Sequence, residues 1–142
     1  MFIVNVEGAI YRGGEWLLIR RSEKEEHAGG ALSLVGGKCE KEGTTSDILE
    51  RTLLREIYEE VGIEVTIQQY VNSSSFITDA GQHVVDIVFL CRHKSGEPYA
   101  KSIDEVDEVL WMTTNEIMDH SHLPGFIKKN IELASLLLKE RF

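Results

Sequence analysis

Three glutamates near the middle of the chain are spaced so that they can act together. Glu56, Glu59 and Glu60 stand at positions i, i+3 and i+4. On a helix that turns about 100° per residue, their carboxylates project from one face. Ile57 and Val61 fall on the adjoining face, which is the pattern of an amphipathic helix. Clustered carboxylate oxygens can bind a hard divalent cation such as Mg²⁺. The alternative is an acidic face that is simply solvated.

The position of the glutamates within the predicted helix favours a ligand. Gly62 follows them directly and predicts the C-terminus of the helix. The negative pole of the helix dipole lies at that end, so acidic side chains there are disfavoured. The neighbouring carboxylates also repel one another, by roughly a few tenths of a kcal/mol per pair. Arg55 can neutralise one carboxylate, and a bound cation would neutralise the others.

A pair of glycines lies upstream, in the segment Gly36-Gly37-Lys38-Cys39-Glu40. Together with Arg55–Ile63 it resembles the signature of the Nudix hydrolases, which cleave nucleoside diphosphates linked to another group. The second half of that signature is matched at every fixed position, from the Arg-Glu pair to Gly-Ile. In the first half, the upstream glutamate position holds Asp47, and the loop after Gly37 is four residues longer than the family pattern.

The resemblance implies a metal site. It assigns Glu56, Glu59 and Glu60 to metal binding, with Mg²⁺ as the cofactor and Mn²⁺ as a substitute. It adds the carbonyl oxygen of Gly36 as a further ligand and gives Arg55 the role of orienting a glutamate. These are expectations for this chain, carried over position by position from the matched motif.

The resemblance also limits the choice of the catalytic base that activates water. In this family the base is either a glutamate of the motif, here Glu56, or an acid on a later loop. Glu105 and Glu108 lie in the corresponding region before Trp111, although for either residue alone a solvated surface charge is the favoured interpretation. Arg20 and Glu40 are candidate substrate contacts.

Two other phosphate-binding motifs are excluded. Gly37-Lys38 follows a predicted strand and precedes a helix, as in a P-loop, but Leu32 stands where that motif needs a glycine and Cys39 where it needs Ser or Thr. The glycine pattern G-x-G-x-x-G of dinucleotide-binding folds does not occur in the sequence. The chemistry is therefore expected at the carboxylates rather than at a glycine-rich loop.

Length and composition predict a single domain over residues 1–142 that is large enough to bury a core. The net charge of −9 argues against a nucleic-acid polymer as partner. Cys39 and Cys91 have no metal-ligand spacing and predict reduced thiols in a cytoplasmic protein. The N-terminus is not typical of a signal peptide, and no apolar run is long enough to span a membrane.

The predicted elements alternate between strands and helices. A hairpin over 2–21, a short strand over 31–35 and strands over 63–71, 76–78 and 83–93 are expected, with a further strand ending at Met112. The main helix is predicted over 50–61, capped by Thr45 or Ser46, with a polar cluster at 72–75 forming a bulge or turn. A helical turn over 114–118 and an amphipathic helix over 124–142 complete the order.

This order predicts an α/β fold with a mixed sheet between helices, as in the α/β/α sandwich of the Nudix fold. The expected function is metal-dependent hydrolysis of a diphosphate bond in a nucleoside triphosphate, an ADP-ribose or other nucleotide sugar, or a dinucleoside polyphosphate. A catalytically silent Nudix-like module that binds a nucleotide is the main alternative, and a structural or metal-buffering domain is another. The expected partner is a small nucleotide-type molecule, with a second copy of the chain as a further candidate.

Overall fold

The computed structural model of the protein describes residues 1–25 and 28–141. Within these residues the chain forms one mixed sheet and three helices, and none of the helices is long and apolar enough to cross a membrane. The elements are β1 (Phe2–Arg12), β2 (Glu15–Arg21), β3 (Leu32–Ser33), β4 (Val35–Lys38), α1 (Ile48–Val61), β5 (Glu64–Ile77), β6 (His83–Ser95), β7 (Val106–Thr113), α2 (Thr114–Asp119) and α3 (Gly125–Arg141).

The sheet is mixed because one strand pair is parallel. Along the sheet the strand order is β3-β2-β1-β6-β5, with β4 also paired to β1 and β7 also paired to β2. The pair β1–β6 is parallel and the remaining pairs are antiparallel. Parallel strands need a crossover, and here the chain between them contains α1. The predicted mixed sheet is therefore confirmed.

The two faces of the sheet are covered by different helices, each over its own core. Successive strand residues point to opposite faces, so Leu17 and Ile19 of β2 join the core under α1, whereas Leu18 joins the core under α2 and α3. From α1 the first core takes Leu53, Ile57 and Val61. The second takes Ile117 from α2 and Ile127, Ile131 and Ala134 from α3. The predicted α/β class, with a sheet between helices, is confirmed.

Helix α1 sits close to the sheet because β1 offers it a residue without a side chain. A Cβ atom on Gly8 would lie 3.3 Å from Cδ1 of Ile57 and 3.3 Å from Sγ of Cys91. Such contacts are tighter than ordinary packing, so the glycine lets the helix approach β1. The close approach sets the distance between the acidic face of α1 and the sheet.

The start of α1 differs from the prediction. The N-cap is Asp47, in the left-handed conformation (φ 56°, ψ 35°), and its side chain makes no capping hydrogen bond. The predicted caps Thr45 and Ser46 instead accept hydrogen bonds from Arg51, through the hydroxyl oxygen and the carbonyl oxygen respectively. The prediction of a Thr45 or Ser46 cap was wrong because the longer loop is anchored on Arg51.

The strands are longer than predicted in two places. The polar cluster Asn72–Ser75 lies inside β5, which pairs with β6 over its whole length with a register shift between Tyr70 and Asn72. The bulge, rather than the turn, is therefore the correct alternative. The paired glycines lie within β4 rather than beyond the end of a strand, because β4 forms a ladder with β1.

Candidate active site

Two other segments meet the C-terminal half of α1. They are strand β4 and the loop that leads into β7. The helix ends at Gly62, whose φ of 73° is the left-handed conformation that favours glycine and whose N–H donates to the carbonyl oxygen of Tyr58. The end of α1 is therefore where the sequence motif predicted it.

Three carboxylates meet at this point. One oxygen from each of Glu56, Glu60 and Glu105 lies within 4.8 Å of the others. Glu60 is 6% exposed, and its Oε1 is buried with no hydrogen-bond partner. Leaving a buried polar atom unpaired costs on the order of 1–3 kcal/mol. We call this group, Glu56, Glu60 and Glu105, the carboxylate cluster.

The surroundings of Glu60 make its ionisation unfavourable in the absence of a cation. Burial, then the adjacent Glu105 carboxyl, then the charge of Glu56 raise the pKa of Glu60 to about 9, against a smaller lowering by the backbone N–H of Gly36. Burial also raises the pKa of Glu56, and the nearby guanidinium of Arg55 opposes that shift. Carboxyls that repel one another in a buried place suit a divalent cation, which offsets the repulsion.

Arg55 lies between two glutamates of the motif. Its Nη1 is 3.2 Å from Oε1 of Glu56 and 3.6 Å from Oε2 of Glu59. The Glu59 side chain is 55% exposed and lies outside the carboxylate cluster, whereas that of Glu56 is 15% exposed. The guanidinium is therefore placed to restrain Glu56 from its solvent side.

Both glycines of β4 stand where a side chain would clash, and Gly37 makes room for the carboxylate cluster. A Cβ atom on Gly37 would lie 2.4 Å from Cδ of Glu56, so only a residue without a side chain lets that carboxylate lie against the strand. A Cβ atom on Gly36 would lie 1.9 Å from the carbonyl oxygen of Val6 on β1. Both positions therefore need glycine for close approach rather than for a turn.

Arg20, Glu40 and Glu108 are not members of the carboxylate cluster. Arg20 and Glu108 face each other across the β2–β7 pair, with Nε 2.7 Å from Oε1. Glu40 is exposed and follows the end of β4. The structure thus separates the two predicted acids, because Glu105 lies on the loop with the helix glutamates, whereas Glu108 lies within β7 and is paired to Arg20.

The order and spacing of these elements match a known family along most of the chain. The model of the NUDIX domain matches residues 1–132. This chain belongs to the Nudix hydrolase family. The carboxylate cluster and the glycines of β4 thus lie inside the matched region, and the chain is a Nudix pyrophosphohydrolase.

Solved Nudix structures superpose on this one over nearly the whole chain. A MutT Nudix hydrolase from Burkholderia pseudomallei has 28% sequence identity and a TM-score of 0.79, covering 94% of this chain and 98% of that one. A MutT protein from Methanosarcina mazei has 26% identity and a TM-score of 0.82, covering 97% and 96%. An ADP-ribose pyrophosphatase from Streptococcus suis, with 21% identity and a TM-score of 0.67, covers 100% and 94% and shares the fold. A search of curated proteins found no match.

One acidic pair in this Nudix hydrolase was not predicted from the sequence. Glu7 of β1 and the buried Asp86 of β6 lie side by side, and the Nδ2 of Asn5 donates to Oδ1 of Asp86 over 2.7 Å. Burial, followed by the charge and hydrogen bond of Asp86, raises the pKa of Glu7 well above its ordinary value. The signal was present, since each acid interrupts an otherwise apolar strand, but only the parallel β1–β6 register brings the two together.

Proposed function

We propose that this Nudix hydrolase uses Mg²⁺, with Mn²⁺ as a substitute, to hydrolyse the diphosphate bond of a nucleoside diphosphate linked to another group. The observation that carries the proposal is the carboxylate cluster, in which a buried oxygen of Glu60 without a hydrogen-bond partner lies within 4.8 Å of oxygens from Glu56 and Glu105. Glu56 and Glu60 would hold the cation, with Glu59 and the Gly36 carbonyl as further ligands, and Glu105 would stand beside the cation-binding carboxylates.

The chemistry requires charge neutralisation and an activated water. A divalent cation bound here would offset the charge of the phosphate oxygens and lower the pKa of a bound water. In the hydrolysis, the water oxygen forms a bond to phosphorus while the bridging P–O bond breaks, and the electron pair leaves with the departing phosphate. The proton of the water passes to a carboxylate of the protein.

Two carboxylates of the chain remain as candidates for that base. Glu105 is exposed and lies on a loop at the edge of the carboxylate cluster, where a water can reach it. Glu56 is half-buried and held by Arg55 at 3.2 Å. Glu108 is engaged by Arg20, so the role predicted for it has the least structural support. We therefore favour Glu105 as the base and Glu56 as a ligand.

The substrate is proposed only as a class. The expected compounds are nucleoside triphosphates, ADP-ribose and other nucleotide sugars, and dinucleoside polyphosphates. The net charge of −9 supports a small substrate held through a cation over a nucleic-acid polymer. A second copy of the chain is a further proposed partner, and sedimentation velocity would detect it.

A substrate panel with a matched pair of variants tests the proposal. We expect release of phosphate or nucleotide from at least one compound in the presence of Mg²⁺ or Mn²⁺. Glu60→Gln should lower kcat on that compound by about a hundredfold or more, on the order of 3 kcal/mol in the barrier. The control Glu132→Gln removes an exposed charge from α3 and should leave the rate unchanged.

Two results would contradict the proposal in different ways. If Glu60→Gln turns over the substrate at the wild-type rate, the carboxylate cluster is not the catalytic site. If the wild type hydrolyses none of the compounds but binds one of them tightly in calorimetry, the chain acts on this panel as a nucleotide-binding module.

A further inference from the structure

The loop that carries Glu105 is attached to the C-terminus of α1. The N–H of Tyr99 donates to the carbonyl oxygen of Val61 over 3.1 Å, and the N–H of Lys101 donates to the carbonyl oxygen of Glu60 over 3.0 Å. The N–H of Ser102 reaches the same Glu60 oxygen at 3.3 Å. The last carbonyl groups of a helix have no partner within the helix, so this loop satisfies two of them.

Two side-chain contacts hold the same loop against the helix. The ammonium of Lys101 lies 3.7 Å from the ring centroid of Tyr58, a distance at which a cation is attracted to the face of the ring. The ring of Tyr99 covers Gly62, where a Cβ atom would lie only 2.6 Å from its Cε1. Both tyrosines are about half exposed, Tyr58 at 51% and Tyr99 at 54%, so neither is placed by burial in a core.

A short turn then delivers Glu105 to the carboxylate cluster. The N–H of Glu105 donates to the carbonyl oxygen of Ser102 over 3.0 Å, and that of Val106 donates to the same oxygen over 2.8 Å. Val106 is buried at the start of β7. Glu105 is therefore held on one side by the core and on the other by the attachment of the loop to α1.

We propose that the Lys101–Tyr58 contact is a latch that positions the Glu105 carboxylate beside Glu60. The inference rests on the proposed function of the carboxylate cluster. Lys101 and Tyr58 are positioning residues in this proposal, because they act through Glu105 and not on the substrate. Tyr58 occupies a position that the family motif leaves open, so the latch is a feature of this chain rather than of the motif.

A further observation favours the ring contact over a general charge effect. Within the part of the chain that the structure describes, the Lys101 ammonium forms no ion pair with a carboxylate. The ring of Tyr58 is thus the contact that holds the ammonium group of Lys101 in place.

The test is a double-mutant cycle with Glu105. Lys101→Met and Tyr58→Leu remove the cation and the ring while keeping side chains of similar size. Each should lower kcat on the best panel substrate by about ten- to hundredfold with KM nearly unchanged, because a small displacement of a catalytic group has effects of this size. In a Glu105→Gln background the same substitutions should change kcat by less than about twofold, since residues that act through one another are not additive.

Matched controls separate the latch from a loss of folding. Tyr58→Phe and Lys101→Arg keep the ring–cation contact and should retain the wild-type kcat. Lys94→Met removes a charge from an exposed position on β6 and should have no effect. The melting temperature of each variant should be measured as well. If the impaired variants melt at the same temperature as the active controls, loss of folding does not account for their lower kcat.

A readout without substrate keeps the inference distinct from the proposed function. Mn²⁺ binding, measured by calorimetry or electron paramagnetic resonance, should weaken in Lys101→Met when Glu105 is present and not in the Glu105→Gln background. Equal losses in both backgrounds, or wild-type rates and Mn²⁺ affinity in both Lys101→Met and Tyr58→Leu, would overturn the latch. If no compound is hydrolysed but the Mn²⁺ cycle shows this coupling, the latch stands and the proposed function fails.

Discussion

Glu60 is the residue whose chemical state depends most on the fold. It is 6% exposed, and its Oε1 has no hydrogen-bond partner. Its neighbours in the carboxylate cluster, Glu56 and Glu105, have the same charge when ionised. A carboxyl in this environment retains its proton until a cation replaces it, so proton binding and cation binding compete at the same atoms.

This competition predicts how stability depends on pH in the absence of a cation. The pKa of Glu60 is about 9 in the folded protein and 4.5 as its ordinary value. Between these values the folded state holds a proton that the unfolded chain has lost, so the free energy of unfolding should fall as pH rises from 5 to 9. One such group contributes on the order of 1 kcal/mol per pH unit. The measurement is urea unfolding in EDTA at several pH values.

The variant Glu60→Gln separates the contribution of Glu60 to the pH dependence of stability from that of other groups whose pKa values are also raised. Glu56 and Glu7 also have raised pKa values, so they too make the free energy of unfolding fall as pH rises above the ordinary pKa of a glutamate. Because glutamine does not titrate, Glu60→Gln should show a shallower dependence than the wild type. Added Mg²⁺ should stabilise the wild type more at pH 8 than at pH 6, since it binds the ionised carboxylate. Identical pH slopes in the two proteins would refute the assignment to Glu60.

At the scale of elements, the loop between β4 and α1 is the feature that departs from the family pattern. It is four residues longer, yet it is tied back to the helix by one side chain. Arg51 donates to Thr45 Oγ1 over 2.8 Å, to the carbonyl oxygen of Ser46, and to the carboxylate of Glu42. A guanidinium can reach three acceptors at once because its N–H groups form a rigid fork.

This anchoring predicts that Arg51→Met loosens the loop. The substitution removes the three polar contacts but keeps a long side chain with good helix propensity. Cleavage after Lys41 by a lysine-specific protease should become several-fold faster, while the free energy of unfolding falls by less than about 2 kcal/mol. Arg92→Met, an exposed change on β6, is the control and should leave the cleavage rate as in the wild type. Equal cleavage of Arg51→Met and the wild type would mean that the loop is held by other contacts.

The same loop shows where prediction from the sequence ends. The helix and its end at Gly62 were predictable because spacing and the need for a left-handed residue are local properties. The cap of the helix was predicted wrongly because Asp47 takes a left-handed backbone conformation that the sequence pattern does not reveal, while Thr45 and Ser46 bind Arg51. The meeting of Glu105 with Glu56 and Glu60 was not predictable by spacing, since it depends on a loop that folds back onto α1.

At the scale of the whole molecule, the sheet separates two hydrophobic cores. Only one of these cores supports the carboxylate cluster. The core under α1 supports the helix that carries two members of the carboxylate cluster, and the core under α2 and α3 supports none of them. The sequence predicted a sheet between helices from the order of elements. It did not predict that β4 pairs with β1, which is what brings the glycines of β4 under Glu56.

This division predicts that equal damage to the two cores has unequal effects on activity. Ile57 and Ile131 are both fully buried, one on α1 and the other on α3. Replacing either by alanine leaves a cavity and should lower the free energy of unfolding by about 2–5 kcal/mol, as measured by urea unfolding. Ile57 lies next to Glu56 and one turn from Glu60, so Ile57→Ala should also lower kcat by about tenfold by shifting the carboxylates. Ile131→Ala should keep the wild-type kcat once the rate is corrected for the folded fraction. If both variants lose the same fraction of kcat, the site depends on the stability of the whole molecule rather than on the core beneath α1.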